Sequence, residues 1–310
     1  MDGLDRLVHA IAPTGSVELQ CRFAGEWSLD HPPLPPNHLP YHVILDGSAE
    51  LEIDGKTIAL APGDVLLFPY GDAHILRSAV AGADGSRPVL ENRRSPKGRV
   101  TLIEHGGEGP ALDMLCGQFE LSGATDALWT GLPKVLHVRT DRRDALLGLI
   151  QVLRDEAADS LPGGSAVIEM VTGAMFTLIL RSMTASGQLQ LGILGLLANP
   201  RLAHVVDAVL KDPAQPWTLQ SLADLAHVSR ASFARHFSEI SGMTPMEWVN
   251  GVRLAVAAQS LRAGTLSAGR AAELAGYASE AAFTRAFKTR YGAPPGAYGR
   301  MHARDASRAS

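Results

Sequence analysis

A stretch near the C-terminus of this chain repeats itself. LADLAHVSRASFARHFSEISGMTP, which begins at Leu222, is answered by AAELAGYASEAAFTRAFKTRYGAPP, which begins at Ala271. Phe233, Arg235, Phe237, Gly242 and Pro245 recur 50 positions later as Phe283, Arg285, Phe287, Gly292 and Pro295, with one residue inserted at the turn. Two copies in register impose one fold twice.

Each copy reads as a short helix, a tight turn and a second helix. Apolar residues recur at helical spacing in Leu222, Leu225, Ala226, Phe233, Phe237 and Ile240, and a small residue, Ala223 or Ala272, stands where two helices must approach closely. Thr218, Ser229, Ser267 and Ser279 are placed to cap the four helices. Between the copies, TPMEWVNGVRLAVAAQSLRAG opens with Thr244, Pro245 and Glu247, a capping box with proline at the first helical position. The spacing predicts one long helix joining two helix-turn-helix units, which can set two recognition helices in successive major grooves about 34 Å apart.

This arrangement resembles the DNA-binding domain of the AraC/XylS family of bacterial transcription regulators over about residues 200 to 300. The resemblance implies a double-stranded DNA partner at a promoter and RNA polymerase beside it. Its base-facing positions fall on Ala231, Ser232, Ala234 and Arg235 in the first unit, and on Glu280, Ala281, Thr284 and Arg285 in the second. Arginine pairs bidentately with guanine, so Arg235 and Arg285 are expected to read bases. Arg230, Lys288 and Arg290 are expected on phosphate. Phe233, Phe237, Phe283 and Phe287 read as core.

Charge agrees with this division. Residues 200–310 hold 13 basic and 8 acidic side chains against 15 and 24 in the residues before them, so the net charge of −4 conceals a basic module. The N-terminus, MDGLDRLVHA, has no apolar core segment, and the apolar stretch Val167 to Met183 contains Glu169 and reads as too short to span a bilayer. The expected location is the cytoplasm, with no membrane partner.

Residues from about 15 to 122 alternate as a β domain: YHVILDG, AELEIDG, KTIAL, DVLLFP and RVTLIEHG are separated by Gly, Pro and Asp turns. Gly82 to Arg99 breaks the rhythm and reads as a long, exposed, mobile loop. GDVLLFPYGDAH resembles the second motif of cupins, small jelly-roll barrels. HLPYHVILDG resembles their first motif with departures: His42 keeps a ligand position, Pro40 replaces a histidine, and Asp46 replaces the glutamate. From about 127 to 195 the pattern turns helical, RRDALLGLIQVLRDEAAD and SAVIEMVTGAMFTLILRSM forming a helix pair across SLPGG; this pair is either packing or a homodimer interface. The fold class is α+β and multidomain. A cupin-like sensor barrel at 1–125 is followed by a helical connector at 126–198, an all-α double helix-turn-helix at 199–301 and a flexible tail at 302–310.

The chain has two cysteines, Cys21 and Cys116, which excludes a disulfide-dense framework. Both flank the strands carrying His42 and His74, and a convergence of the four would make a Cys2His2 site preferring zinc. A thiolate there is expected to have a lowered pKa and to react readily with oxidants. MDGLDRLVHAIAPTGSVELQC, LLFPYGDAHIL, LCGQF, LPKVLHV and NPRLAHVV further resemble the reactive-chlorine-sensing branch of the family, which implies an activator answering hypochlorous acid through Cys21 and Cys116. Two other readings stand beside this one. In the first, a small organic effector is held by Trp27, Tyr41, Phe68 and Tyr70. In the second, a cupin metalloenzyme uses His42, His74 and Asp46; three such ligands lack the acid/base set that catalysis needs, so no enzyme is expected.

Overall fold

The computed structural model describes residues 2–79, 93–109, 111–121, 129, 131–140, 145–159, 161–185 and 191–306. They form two compact units that cut across the boundaries expected from sequence. One unit takes Pro13–Glu120 and Pro133–Ser182, the other Met1–Ala12, Leu121–Leu132 and Met183–Ser310.

The first unit is built from β1 (Thr14–Ala24), β2 (Ser28–His31), β3 (His38–Gly47), β4 (Ala49–Ile53), β5 (Lys56–Leu60), β6 (Asp64–Leu67), β7 (His74–Ser78), β8 (Arg93–Lys97), β9 (Val100–His105), β10 (Ala111–Glu120) and β11 (Leu136–Arg139). Seven strands make one sheet in the order β11-β6-β3-β10-β1-β9-β8, and four make the other in the order β2-β7-β4-β5. β4 and β7 alternate strictly between buried and half-buried residues, the pattern of a sheet with one face on a core. Phe23, Ile44, Leu66 and Met114 from the larger sheet close that core with Leu51, Leu60 and Leu76 from the smaller.

Two expectations change here. Arg93–Lys97, assigned to a loop, is a strand paired with β9; residues 82–92 of that segment lie outside the described residues. Leu136–Arg139, assigned to a helical region, is a strand paired with β6. Each is too short to overcome its neighbours' pattern, and pairing with a distant strand decides its state. One irregularity lies in β1. Val17 is opposite Gly117 and Leu19 is opposite Cys116, so Glu18 is an extra residue, a β-bulge.

Helices α2 (Ala145–Ala158) and α3 (Gly164–Ala185) complete the unit. α3 spans 22 residues and, contrary to the sequence reading, is long and apolar enough to cross a membrane by length and composition. Met175, Phe176, Ile179 and Leu180 are nevertheless fully buried, and Phe176 meets Phe119 of β10 edge-on at 4.9 Å. It is a core helix.

The second unit begins with α1 (Gly3–Ile11), capped by Asp2 and Asp5. α1 packs on α5 (Pro200–Lys211) and α8 (Pro245–Arg262), and Arg6 donates to Asp207 at 2.6 Å. α4 (Gly192–Ala198) precedes the first helix-turn-helix, formed by α6 (Leu219–Leu225) and α7 (Arg230–Ser241). α8 is the long joining helix. α9 (Ala268–Leu274) and α10 (Glu280–Tyr291) form the second helix-turn-helix, followed by α11 (Pro295–Ala306). The expected flexible tail from 302 is helical as far as Ala306, while 307–310 lie outside the described residues.

Thr218, Ser229, Ser267 and Ser279 each accept from the backbone N–H three residues on, and Thr244 and Glu247 form the capping box. The turns match as well: Val228 N–H donates to Ala223 and Tyr277 N–H to Ala272. His227 in the first turn and Gly276 in the second both hold positive φ.

Candidate functional site

Three neighbouring strands of the larger sheet, β1, β10 and β3, present Cys21, Cys116 and His42 on the face that looks into the barrel. His42 is directly opposite Cys116. Cys21 is opposite Met114, two residues from Cys116 and therefore on the same face. The smaller sheet contributes His31 and His74, directly opposite each other on β2 and β7 and stacked with ring centroids 4.6 Å apart. Phe68 stacks on the other face of His74 at 3.7 Å.

The contacts form a chain. Cys21 Sγ lies 3.9 Å from Cys116 Sγ, and Cys116 Sγ lies 3.1 Å from His42 Nδ1. His42 Nε2 is 2.8 Å from His74 Nε2, and His74 Nδ1 is 2.9 Å from the Asp72 carbonyl. A carbonyl only accepts, which fixes the proton arrangement for neutral rings. His74 Nδ1–H donates to Asp72, so His74 Nε2 accepts from His42 Nε2–H. His42 Nδ1 is then the acceptor for the Cys116 S–H, and the Cys116 sulfur accepts from Cys21.

Neutral rings are what the surroundings favour. Burial pushes His74 down to about 4, against an opposing pull from the Asp72 carbonyl. Burial and then the neighbouring His74 push His31 to about 3, and burial followed by His31 and His74 holds His42 well below the usual imidazole value. The hydrogen bond with Cys21, then burial, holds the Cys116 thiol well above its ordinary value. The expected thiolate with lowered pKa is therefore not favoured: with no imidazolium beside it and little water around it, the sulfur keeps its proton.

The expected Cys2His2 set is also rearranged. His31, His42 and His74 bring one ring nitrogen each within 4.8 Å of one another, a set able to hold a metal ion. Cys116 faces the opposite edge of the His42 ring, with Cys21 behind it. His31 was missed: its one sequence signal is a histidine ending SLDH before a proline-rich turn, and only the pairing with β7 gives it meaning. Asp46 is exposed towards the end of β3 and is outside the set. Trp27, Tyr41 and Phe68 are buried and Tyr70 is exposed. Beside the histidines is a cavity of about 140 Å³ lined by His31, His42, His74, Cys116, Glu18 and Gln118 among others.

In the second unit, Phe233, Phe237, Phe283 and Phe287 are buried. Arg230, Ala231 and Arg235 are exposed along α7, and Glu280, Ala281, Arg285 and Lys288 along α10. Ser232, Ala234, Thr284 and Arg290 are half-buried.

Comparison with known proteins bears on both units. Residues 2–185 match a cupin family model, and residues 222–301 match a helix-turn-helix domain model. The chain is 31% identical to the RCS-specific HTH-type transcriptional activator RclR of Escherichia coli, over 96% of this chain and 97% of that one. The chain belongs to the AraC family of transcription regulators. Another relative is the regulator MtrA of Neisseria gonorrhoeae, 29% identical over 96% of this chain and 98% of that one. Among solved structures, the DNA-binding domain of AdpA in complex with a target DNA is 28% identical over 34% of this chain and 94% of that chain, with a TM-score of 0.33. As an AraC-family regulator, this chain binds DNA through its helix-turn-helix domain.

Proposed function

We propose that this DNA-binding regulator is a cytoplasmic activator whose barrel answers hypochlorous acid or a kindred oxidant by joining Cys21 to Cys116. The observation that carries the reading is the 3.9 Å between the two sulfurs. A disulfide needs about 2.05 Å, so closure asks for a movement of about 2 Å within one sheet face. The name of the RclR relative supports the same reading.

Cys116 lines the cavity and reacts first. Its sulfur takes chlorine from HOCl, giving S–Cl and water with the thiol proton. Cys21 then displaces chloride and loses its own proton. Two thiols and one HOCl yield one disulfide, one water and one HCl.

On the DNA side, Arg235 and Arg285 read guanine, with Ala231, Ser232, Glu280 and Thr284 at neighbouring base-facing positions, while Arg230 and Lys288 hold phosphate. RNA polymerase is the partner at the promoter. The helix pair α2 and α3, with Val152 and Met170 exposed, is the homodimer surface. Peptide mass mapping after stoichiometric HOCl tests the sensing reading, with a Cys21–Cys116 disulfide expected. A reporter that keeps its oxidant response when both cysteines are alanine would defeat it.

A further inference from the structure

We infer that His31, His42 and His74 form a binding site for one divalent transition-metal ion of the zinc and cobalt class, held by three ring nitrogens, with a fourth position open to the cavity that also holds Cys116. This site stands on its own geometry and does not require the oxidant reading.

Four observations carry it. The three ligand nitrogens already lie within 4.8 Å of one another, so small ring movements bring them to the roughly 3.3 Å spacing that tetrahedral metal–nitrogen bonds of about 2.0–2.1 Å set. His31 Nε2 is buried with no hydrogen-bond partner among the described residues, although buried polar atoms in folded proteins are nearly always satisfied. His74 donates its other nitrogen to the Asp72 carbonyl, the outer contact that metal-bound histidines usually make and that points Nε2 at the ion. A groove of about 430 Å³ with His31 and His74 in its wall is also lined by Asp30, Glu52 and Asp54; carboxylates along an entry path concentrate cations. Glu52 is paired with Arg77 and Asp54 with Lys134, which offsets part of that negative charge.

The ion has a consequence within this chain. To offer Nε2 as a ligand, His42 must move its proton to Nδ1, where it faces the Cys116 sulfur at 3.1 Å. The hydrogen bond between them then reverses, the ring donating to the sulfur.

The test is a titration of the fully reduced, metal-free full-length protein with Co²⁺, followed by competition with Zn²⁺. One equivalent per chain is expected, with the visible absorption of tetrahedral cobalt and no near-ultraviolet sulfur-to-cobalt charge-transfer band. His31→Ala should weaken binding by about a hundredfold or more, beyond the upper end of what losing an outer-shell partner costs. His31→Gln, closer in size, guards against a folding defect, with the thermal melt read for both variants. The Cys21→Ala/Cys116→Ala protein should keep its full equivalent. A charge-transfer band, binding unchanged in both His31 variants, or no binding by the wild type would each overturn the site. Disulfide formation by HOCl, measured in parallel on metal-free protein, separates the two readings: its absence would defeat oxidant sensing and leave the cobalt count untouched.

Discussion

The residues proposed to work lie on the outside of the DNA-binding unit and on the inside of the barrel unit. Along α7 and α10 the framework is buried phenylalanine and the variable positions are exposed, so one copy presents Arg230 and Arg235 while the other presents Glu280, Arg285 and Lys288. The two heads share a scaffold and differ in the side chains exposed on it, so base readout through these positions, as proposed, would select a bipartite site with unlike halves. In the barrel, Cys21, Cys116 and His42 are buried together with Leu66 and Met114, and their chemistry depends on register and proton placement. A surface site is changed by substituting side chains. A buried one is changed by moving the backbone or one hydrogen.

This contrast can be broken most forcefully at Phe237, packed against Phe233 and Trp248. Phe237→Ala should cost about 3–5 kcal/mol, measured by urea denaturation, and abolish DNA binding while HOCl still joins Cys21 to Cys116. Loss of disulfide formation would show that the units do not act separately. The next effect belongs to the barrel alone. The buried rings of metal-free protein stay neutral where unfolded histidine, at about 6.5, takes up protons. Stability is therefore full above about pH 6.5 and falls as pH drops towards the folded values of about 4 for His74 and 3 for His31. Thermal melts in chelator between pH 7 and 4 should show that slope, and His74→Phe should flatten it.

Smaller effects belong to the reading faces. Arg235→Ala or Arg285→Ala should cost about 1–3 kcal/mol of discrimination at one base pair, seen by fluorescence anisotropy on operator variants. Lys288→Ala should weaken all sequences alike and reduce the salt slope by about one. The smallest change expected is about 1 kcal/mol from Ser229→Ala or Ser279→Ala, each removing one helix cap; a matching loss at both sites would sharpen the equivalence of the two heads.

What could be read from the chain follows the same divide. Caps, the capping box at Thr244 and the inward phenylalanines are signals within a few residues of each other, and all stand where the repeat placed them. His31 was illegible because its role arises from pairing with His74, 43 positions on. β11 was hidden among helical neighbours, and α1 gave no local sign that it packs with α5 and α8. Cys21 and Cys116 were legible as a pair, but the hydrogen bonding of Cys116 was not, since it depends on the Asp72 carbonyl acting through His74 and then His42.

The bulge at Glu18 has a consequence of parity. Were Glu18 taken into the ladder opposite Cys116, continuing the pairing of Val17 with Gly117 would set Cys21 opposite Asp113, an odd number of steps from Cys116, and its side chain would leave through the other face of the sheet. Holding one residue out of the ladder turns β1 over by half a period and makes two cysteines into neighbours. Deleting Glu18 should therefore leave Leu19 opposite Cys116 and Cys21 opposite Met114, and the two thiols should still join under HOCl.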